Sequence, residues 1–310
     1  MSTTAKTLEV PGYQVEQFLG SGARSTIWQI RDSRTGGMYA LKRVVRRETS
    51  DQRFLQQAEN EHAVANRLDY PSVRKIYDIR HIRRWLAVRE IHLVMEYCRG
   101  RTVQDSRPQS IMDAVKVFSH VAAALEHMNS RSLVHADTKP NNILVADDGT
   151  VKIIDLGQSC RVGTIKKRIQ GTPDFIAPEQ VHRQPLDSRT DVFNFGASLY
   201  WTLTGQAIPT ILPKKGEVTL KIDLIVAPPA QLNPNVPSGL SKLINDCIEI
   251  SPARRPQSMK EVRSRLEMVH SALTRNRRGD TGQDIGDENT SDQDNSGQDI
   301  LNQSIPDQDI

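Results

Sequence analysis

Residues 135–142 read His-Ala-Asp-Thr-Lys-Pro-Asn-Asn, and a second polar stretch, Asp155-Leu156-Gly157, begins thirteen residues after Asn142. Apolar runs at 143–145 and 151–154 predict a short buried strand beside each stretch. Two carboxylates, one amide and one lysine therefore lie on loops at strand ends. Carboxylate and amide oxygens suit Mg²⁺, and a neighbouring lysine can neutralise a phosphoryl group. The two stretches predict a site that holds a metal ion and a phosphoryl donor over an acceptor hydroxyl.

Charge is distributed unevenly along the 310 residues. The first 278 residues hold all 41 basic residues but only 28 of the 37 acidic ones, a formal charge of +13. The remainder, 279–310, is polar and repetitive, and we expect it to be disordered because it has too little apolar area to offset its ordering entropy. This asymmetry suggests a contact in cis between the acidic tail and the basic body. The alternative is a basic surface that is simply well solvated.

Cysteine usage and hydropathy bear on location. Cys98, Cys160 and Cys247 show no paired metal spacing, and an odd, low count fits reduced thiols in a cytoplasm. Residues 1–9 lack the apolar core of a signal peptide, and no stretch approaches the roughly 20 apolar residues that span a bilayer. We therefore expect a cytoplasmic protein with neither a membrane nor a nucleic-acid partner.

Periodicity divides the chain into a strand-rich part and a helix-rich part. Strands are predicted at 13–20, 25–30, 38–45, 73–82 and 91–97, and a helix at 51–68. The predicted loop between the last two strands carries Arg83, Arg84 and Trp85. From about Ser110 onward, helices are predicted at 111–125, 190–204, 240–250 and 258–273, with loops at 208–209 and 227–229. This order predicts a five-stranded sheet followed by a mainly helical region.

Two features of the strand-rich part suit phosphate binding. Residues 19–27 read Leu-Gly-Ser-Gly-Ala-Arg-Ser-Thr-Ile, a glycine turn whose backbone N–H groups can approach phosphates, although an ordinary hairpin looks the same. Lys42 follows in an apolar strand, where an unpaired charge is costly. The next helix offers Glu59 and Glu61 as partners, about 200° apart around the helix axis.

These features together resemble the Hanks-type (eukaryotic-like) serine/threonine protein kinases, whose loops read H-R-D-x-K-x-x-N and D-F-G. Residues 171–179, Gly-Thr-Pro-Asp-Phe-Ile-Ala-Pro-Glu, are similar to the end of a kinase activation segment, and the resemblance covers about residues 12–270. It implies an α+β fold of two lobes. The N-lobe, about 12–97, would hold five strands and one helix, and the C-lobe, about 99–272, would be mainly helical. An N-terminal extension, 1–11, and the acidic tail, 273–310, would flank them.

The resemblance also implies roles for individual residues. Asp137 is the expected base, Lys139 neutralises the transferring group, and Lys42 pairs with Glu61, which fits the family spacing better than Glu59 does. Asn142 and Asp155 are the expected ligands of Mg²⁺ or Mn²⁺. The expected contacts of ATP are Leu19, Gly20, Gly22, Ser25, Ile27, Ala40, Lys42, Met95, Glu96, Cys98, Leu144 and Asp155.

Supporting contacts are implied as well. Thr172 is expected to contact Asp137 and Lys139 and to favour serine and threonine acceptors. A structural ion pair is expected between Glu179 and Arg255. Asp191 is expected to brace the loop at 135–142.

Three positions depart from the family pattern: Ala136 replaces arginine, Leu156 replaces phenylalanine, and Ser25 replaces the third glycine. The missing arginine binds an activation-loop phosphate in many members, so we expect activity without such a phosphate, although Arg161, Lys166, Lys167 and Arg168 offer another way to hold one. The predicted activity is transfer of the ATP γ-phosphate to serine and threonine hydroxyls of proteins. The alternatives are a pseudokinase scaffold and a kinase of small molecules.

Overall fold

A computed structural model of the protein describes residues 8–209 and 226–283, with only the backbone of 276–283. The first lobe is built on a five-stranded antiparallel sheet in the order β1-β2-β3-β5-β4. Its strands are β1 (Tyr13–Ser21), β2 (Ser25–Asp32), β3 (Met38–Val45), β4 (Ile76–Arg84) and β5 (Ala87–Glu96). The predicted sheet is thus confirmed.

The core of this sheet comes from one apolar side chain on each of three neighbouring strands. Ile30, Leu41 and Val94 are almost fully buried and pack with Val10. Successive side chains of a strand point to opposite faces, so these residues line one face, while the neighbouring side chains of Ala40, Leu93 and Met95 are also buried and line the other. Val10 lies before the boundary predicted at residue 12, so the folded lobe begins earlier than the sequence indicates.

Helix α1 (Gln52–Ala65) packs against β3, β4 and β5. Its buried residues, Leu55, Ala58, Glu61, Val64 and Ala65, recur at helical spacing on one face. Glu61 is therefore carried to the sheet side of the helix, while Glu59 stays exposed. The fold thus selects between the two candidate partners of Lys42.

The second lobe is mainly helical, as predicted. Its helices are α2 (Ile111–Ser130), α3 (Pro178–Val181), α4 (Ser188–Thr204), α5 (Pro229–Leu232), α6 (Ser238–Cys247) and α7 (Met259–Gln283), and its short strands are β6 (Gly100–Thr102), β7 (Leu133–Val134), β8 (Ile143–Ala146), β9 (Val151–Ile153) and β10 (Cys160–Arg161). The buried helix α4 contacts α2 and α6. A Cβ on Gly196 would lie 2.5 Å from Cys247 Cβ, so the α4–α6 contact requires glycine there.

Several boundaries differ from the prediction. Arg83 and Arg84 belong to β4, so the β4–β5 connection is only Trp85-Leu86. Pro229 begins α5 instead of lying in a loop, because a first helical turn tolerates proline. Helix α7 continues to Gln283, past the tail boundary predicted at residue 273. The remaining tail and its predicted contact with the body lie outside the described residues. Within the described ranges, no helix is long and apolar enough to cross a bilayer.

Candidate active site

The two polar stretches meet because a hairpin joins them. Strands β8 and β9 pair in antiparallel register, with Ile143 opposite Ile153, and the N–H of Ile154 donates to the carbonyl of Asn142 at 3.0 Å. The residues just before β8 and just after β9 therefore lie side by side. This pairing brings the loop at 135–142 next to Asp155.

Asp137 is the centre of a hydrogen-bonded group. Lys139 Nζ lies 3.0 Å from its Oδ2 and 2.7 Å from Thr172 Oγ1, and Thr172 Oγ1 lies 3.4 Å from its Oδ1. Asn142 Nδ2 donates to the Asp137 carbonyl at 2.9 Å. Burial raises the pKa of Asp137, the Lys139 charge opposes that shift, and the Asp155 charge adds to it. The loop thus holds a carboxylate of raised basicity beside a lysine.

A second group joins the sheet, α1 and the Asp155 loop. Lys42 Nζ lies 2.6 Å from Glu61 Oε2 and 3.7 Å from Asp155 Oδ2. Burial alone would lower the pKa of Lys42, but the Asp155 and Glu61 carboxylates raise it. Burial alone would raise the pKa of Asp155, but the Lys42 charge and the N–H of Gly157 lower it. Lys42 and Asp155 are therefore both ionised.

Arg74 is a member of this group that the sequence analysis missed. Its Nη2 donates to the carbonyl of Ile154 and lies 4.0 Å from Glu61 Oε1, and only 11% of its side chain is exposed. Its N–H also donates to the carbonyl of Ile153. Arg74 thus ties α1 to the chain just before Asp155. Its main partners are backbone carbonyls, which carry no sequence signal.

A cleft of about 750 Å³ lies over both groups. Every predicted ATP contact lines it except Met95, whose side chain is fully buried and pairs with Ala40 in the sheet behind the wall. Asn142 and Lys139 line the same cleft. An adjoining cavity of about 300 Å³ reaches Asp137. Met95 therefore lies behind the cleft wall in this arrangement, and its contact with ATP stays a prediction.

Glu96, at the end of β5, is tied to the second lobe. Its carboxylate lies 2.7 Å from Lys152 Nζ and accepts a hydrogen bond from the N–H of Lys75. Lys152 lies on β9 and is buried. The sequence analysis missed this pair because the two residues are far apart in the chain. The pair fixes the segment that connects the lobes.

The loop at 135–142 is braced by a buried carboxylate. Asp191, on α4, accepts hydrogen bonds from the N–H groups of His135 and Ala136 and from Asn129 Nδ2, at 2.9–3.0 Å. Ala136 has φ of +61°, a left-handed conformation that is strained for a residue with a Cβ. The contact predicted for Asp191 is present and holds the strained residue from one side.

Gln180 holds Ala136 from the other side. Its Nε2 donates to the Ala136 carbonyl at 2.7 Å and to the Gln170 carbonyl at 3.2 Å. Its Oε1 accepts from the Ala177 N–H and from Asn194 Nδ2. This buried amide therefore ties the segment 170–177 to the loop, and the sequence analysis did not identify it. Nearby, Arg255 forms the predicted ion pair with Glu179, with Nη1 2.8 Å from Oε1.

The segment after Asp155 forms a basic pocket of about 340 Å³ against α1. Its cationic lining residues are Arg53, Arg161, Lys166 and Arg168, and no carboxylate lines it. Ser159, a candidate acceptor by its position, is buried and lies 3.4 Å from the His135 carbonyl. Thr164 is half-buried and donates to the Arg161 carbonyl. Ser159 is therefore inaccessible to a modifying enzyme in this arrangement.

Asn142 and Asp155 fit a divalent cation by the chemistry of their oxygens. The Asp155 carboxylate is ionised, and 40% of its side chain is exposed to the cleft. Among the residues that the structure covers, no three His, Cys, Asp or Glu side chains form a metal site of their own. Two protein oxygens suit Mg²⁺, which usually completes its octahedron with substrate phosphates and water.

Comparisons with known proteins agree with this geometry. The family model described as Protein kinase domain matches residues 13–266. The chain is 29% identical over 267 residues to a probable serine/threonine-protein kinase of Clostridium acetobutylicum, covering 83% of this chain and 40% of that protein. It is 27% identical to serine/threonine-protein kinase PknA of Mycobacterium tuberculosis, covering 79% of this chain and 58% of PknA. A probable serine/threonine-protein kinase PknB of Bifidobacterium longum is 30% identical, with 76% and 36% covered. The chain thus spans less than two thirds of each relative.

Proposed function

Because the chain belongs to the protein kinase domain family, we propose that it transfers the γ-phosphoryl group of ATP to serine and threonine hydroxyls of proteins. The observation that carries this proposal is the hydrogen-bonded group of Asp137, Lys139 and Thr172 beside the cleft. It provides a base, a cation and a fixed approach for an acceptor. Similarity to relatives named serine/threonine-protein kinases supports the choice of acceptor.

ATP would bind in the 750 Å³ cleft, with Ile27, Ala40 and Leu144 around the adenine ring. Lys42 would bind the phosphates, and Glu61 would hold Lys42 in place by their 2.6 Å contact. Asn142 and Asp155 would hold Mg²⁺ or Mn²⁺, which supplies positive charge against the phosphate oxygens. These groups position the donor and neutralise its charge, which is most of what phosphoryl transfer requires.

The acceptor hydroxyl would lie against Asp137. The hydroxyl oxygen forms a bond to the γ-phosphorus. At the same time the bond from that phosphorus to the β–γ bridging oxygen breaks, and ADP leaves. The hydroxyl proton passes to Asp137, whose raised pKa makes it a better proton acceptor. Lys139, 3.0 Å from Asp137, neutralises charge on the transferring group. Thr172 orients both side chains.

We also propose that this activity needs no phosphate on the segment 158–171. Ala136 offers no charge to such a phosphate, and Gln180 already joins the Ala136 and Gln170 carbonyls. A neutral, buried amide thus connects the loop to the segment.

Free thiols at Cys98, Cys160 and Cys247 support a cytoplasmic site of action.

A pseudokinase scaffold has less support, because Lys42, Glu61, Asp137, Asn142 and Asp155 are all present and grouped. The test is to incubate the purified chain with labelled ATP, Mg²⁺ or Mn²⁺, and a protein rich in serine and threonine. We expect label on both proteins, as phosphoserine or phosphothreonine. Asp155→Asn should abolish it. Asp148→Asn, at an exposed turn that an asparagine can also form, should retain it.

A binding curve for ATP separates the outcomes. Nucleotide binding by the unmodified chain without transfer to any protein would favour the scaffold. Transfer that survives in Asp155→Asn would contradict the assignment of the site.

A further inference from the structure

The β4–β5 hairpin extends beyond the rest of the sheet. Strand β3 pairs with β5 only from Glu96 back to Glu90, whereas β4 and β5 continue to pair through Arg83–Val88 and Arg84–Ala87. These last two pairs have no third strand beside them. The end of the hairpin therefore projects from the first lobe, and we call residues 82–86 with Arg89 the hairpin tip.

Large apolar side chains occupy the end of this projection. Trp85 is 91% exposed and Leu86 is 99% exposed, and every residue from 81 to 86 is exposed. Single exposed apolar residues are common on proteins, but two adjacent ones at a convex end form a contact surface. Neither side chain packs against the described part of the protein. The fold therefore gains nothing from their apolar character.

The backbone at Trp85 strengthens this conclusion. Its φ is +59°, in the left-handed region that two-residue hairpin turns require. Asparagine or glycine meets this requirement at little cost, whereas a bulky side chain is strained there. Tryptophan at this position is worse for folding than the residues such a turn favours. Strain of this kind points to a function outside the fold.

The charged residues of the tip itself are all basic. Arg83, Arg84 and Arg89 are exposed and form no ion pair with any residue the structure describes. The neighbouring carboxylates are already engaged: Asp78 lies 2.8 Å from Arg80, the Glu90 carboxylate accepts from Arg43, and Glu59 lies 3.4 Å from His81. Hence the tip presents apolar side chains next to three arginines that have no ion-pair partner among the described residues.

We propose that the hairpin tip docks on the surface of a bilayer that contains anionic lipids. Tryptophan suits the headgroup boundary because its ring is apolar and its N–H is polar, and leucine can enter the acyl region. The arginines would then lie at the level of the lipid phosphates. A convex tip fits a planar, deformable surface without needing a matching groove, which favours lipid over an acidic protein.

Docking of this kind needs no membrane-spanning helix, so it modifies the sequence-based expectation that the protein contacts no membrane. No residue of the tip lines the ATP cleft. The docked lobe would keep its cleft open, and the active site would be held near proteins at the membrane. This proposal rests on the hairpin alone and is independent of the proposed function.

The test measures sedimentation of the full chain with vesicles of phosphatidylcholine, alone or mixed with phosphatidylglycerol. We expect binding to be about tenfold tighter with the anionic lipid and to weaken with salt. The double variant Arg83→Gln/Arg84→Gln should lose the preference for anionic lipid. Met268→Ser, which removes an exposed apolar side chain from α7, should bind as the unmodified chain does.

The variant Trp85→Asn/Leu86→Ser separates docking from folding. Asparagine tolerates the left-handed turn, so the melting temperature should stay equal or rise, while vesicle binding falls at least about tenfold. Kinase activity in solution should not change. Tryptophan fluorescence of the unmodified chain should shift to the blue on adding anionic vesicles, and this shift should vanish in the variant, because Trp28 and Trp201 are half-buried.

Two results would overturn the proposal. If the unmodified chain binds neither kind of vesicle, a lipid partner is wrong and an acidic protein becomes the better occupant. If the tip variant binds anionic vesicles as well as the unmodified chain does, the basic body binds them without the tip.

Discussion

Two groups of buried charge differ in how completely their atoms are paired. The anchor pair, Glu179 and Arg255, lies in the second lobe, and the guanidinium of Arg255 makes five hydrogen bonds at 2.7–3.0 Å to the Glu179 carboxylate and to three backbone carbonyls. A guanidinium has five N–H donors. All donors of Arg255 are therefore used, and both Glu179 oxygens accept from it.

The cleft group, Lys42, Glu61, Asp137 and Asp155, is paired incompletely. Lys42 is shared between two carboxylates, and the more distant one, Asp155, is 40% exposed to the cleft. A buried charge without full compensation costs stability unless a ligand completes it. The comparison teaches that complete pairing indicates a structural role, whereas incomplete pairing beside a cavity indicates a ligand-binding site.

The largest expected effect comes from Asp137→Asn in the cleft group. The variant loses its proton acceptor, so kcat should fall by about 10³–10⁴, or about 4–5.5 kcal/mol of barrier. The free energy of unfolding should not fall together with kcat. Burial raises the pKa of Asp137 above its unfolded value, so any stability it contributes is present only at acid pH and is lost as pH rises through the folded pKa.

Kinase assays and thermal melting at neutral pH check this prediction. Asp148→Asn serves as the exposed control. If the variant keeps a tenth of the rate, or melts far below the unmodified chain, Asp137 has a structural role like that of the anchor pair.

The next effect, on stability, comes from Arg255→Met. Removing one partner of a buried pair leaves Glu179 uncompensated, so the free energy of unfolding should fall by about 3–5 kcal/mol. In a domain of this size that lowers the melting temperature by roughly 6–20 °C. The protein that remains folded at low temperature should keep its kcat within about threefold.

Two further variants sharpen this test. The double variant Glu179→Met/Arg255→Met removes the lone charge and should recover part of the loss. Arg43→Met breaks the partly exposed pair with Glu90 and should cost only about 1 kcal/mol. An equal cost for Arg43 and Arg255 would mean that completeness of pairing does not determine stability.

Sequence reasoning identified the residues whose chemistry is local. Asp137, Lys139 and Asn142 lie within one short loop, so their spacing alone indicates their use. It missed Arg74, Lys152 and Gln180, which bind partners 80, 56 and 44 residues away in the chain, respectively, and two of these three partners are backbone carbonyls. Backbone acceptors are the same at every position and leave no pattern.

Turn geometry accounts for another miss. The β4–β5 loop was predicted between strands at 73–82 and 91–97, so that it carries Arg83, Arg84 and Trp85, and no glycine or asparagine in that interval marks the left-handed position. The structure places that position at Trp85, and both arginines continue β4. Tryptophan carries no turn signal, so the turn was missed.

Arg74→Met tests a residue that lies between the anchor pair and the cleft group in how completely its charge is paired. It would remove the donor to the Ile154 carbonyl and the second cation near Glu61, so α1 and the Asp155 loop should separate more often. We expect kcat to fall about tenfold, or about 1.4 kcal/mol, with little change in the KM for the protein acceptor. Hydrogen exchange should become faster in α1, Gln52–Ala65.

Arg43→Met is the matched control on the same sheet and should change neither exchange in α1 nor kcat. The combination Lys42→Met/Arg74→Met should speed exchange in α1 more than the sum of the single variants, because each cation holds Glu61 when the other is absent. Unchanged kcat and unchanged exchange in Arg74→Met would make this arginine a bystander.

The smallest effect is expected from Ser159→Ala/Thr164→Ala. Gln180 joins the loop to the segment without a phosphate, and Ser159 is buried, so the rate should stay within about threefold of the unmodified chain. Treating the unmodified chain with a phosphatase should likewise leave the rate unchanged. A loss of about 100-fold, or about 2.7 kcal/mol, in both experiments would mean that a phosphate completes the pairing here, in the basic pocket of Arg53, Arg161, Lys166 and Arg168. That pocket would then belong with the cleft group, as a second set of charges that a ligand completes.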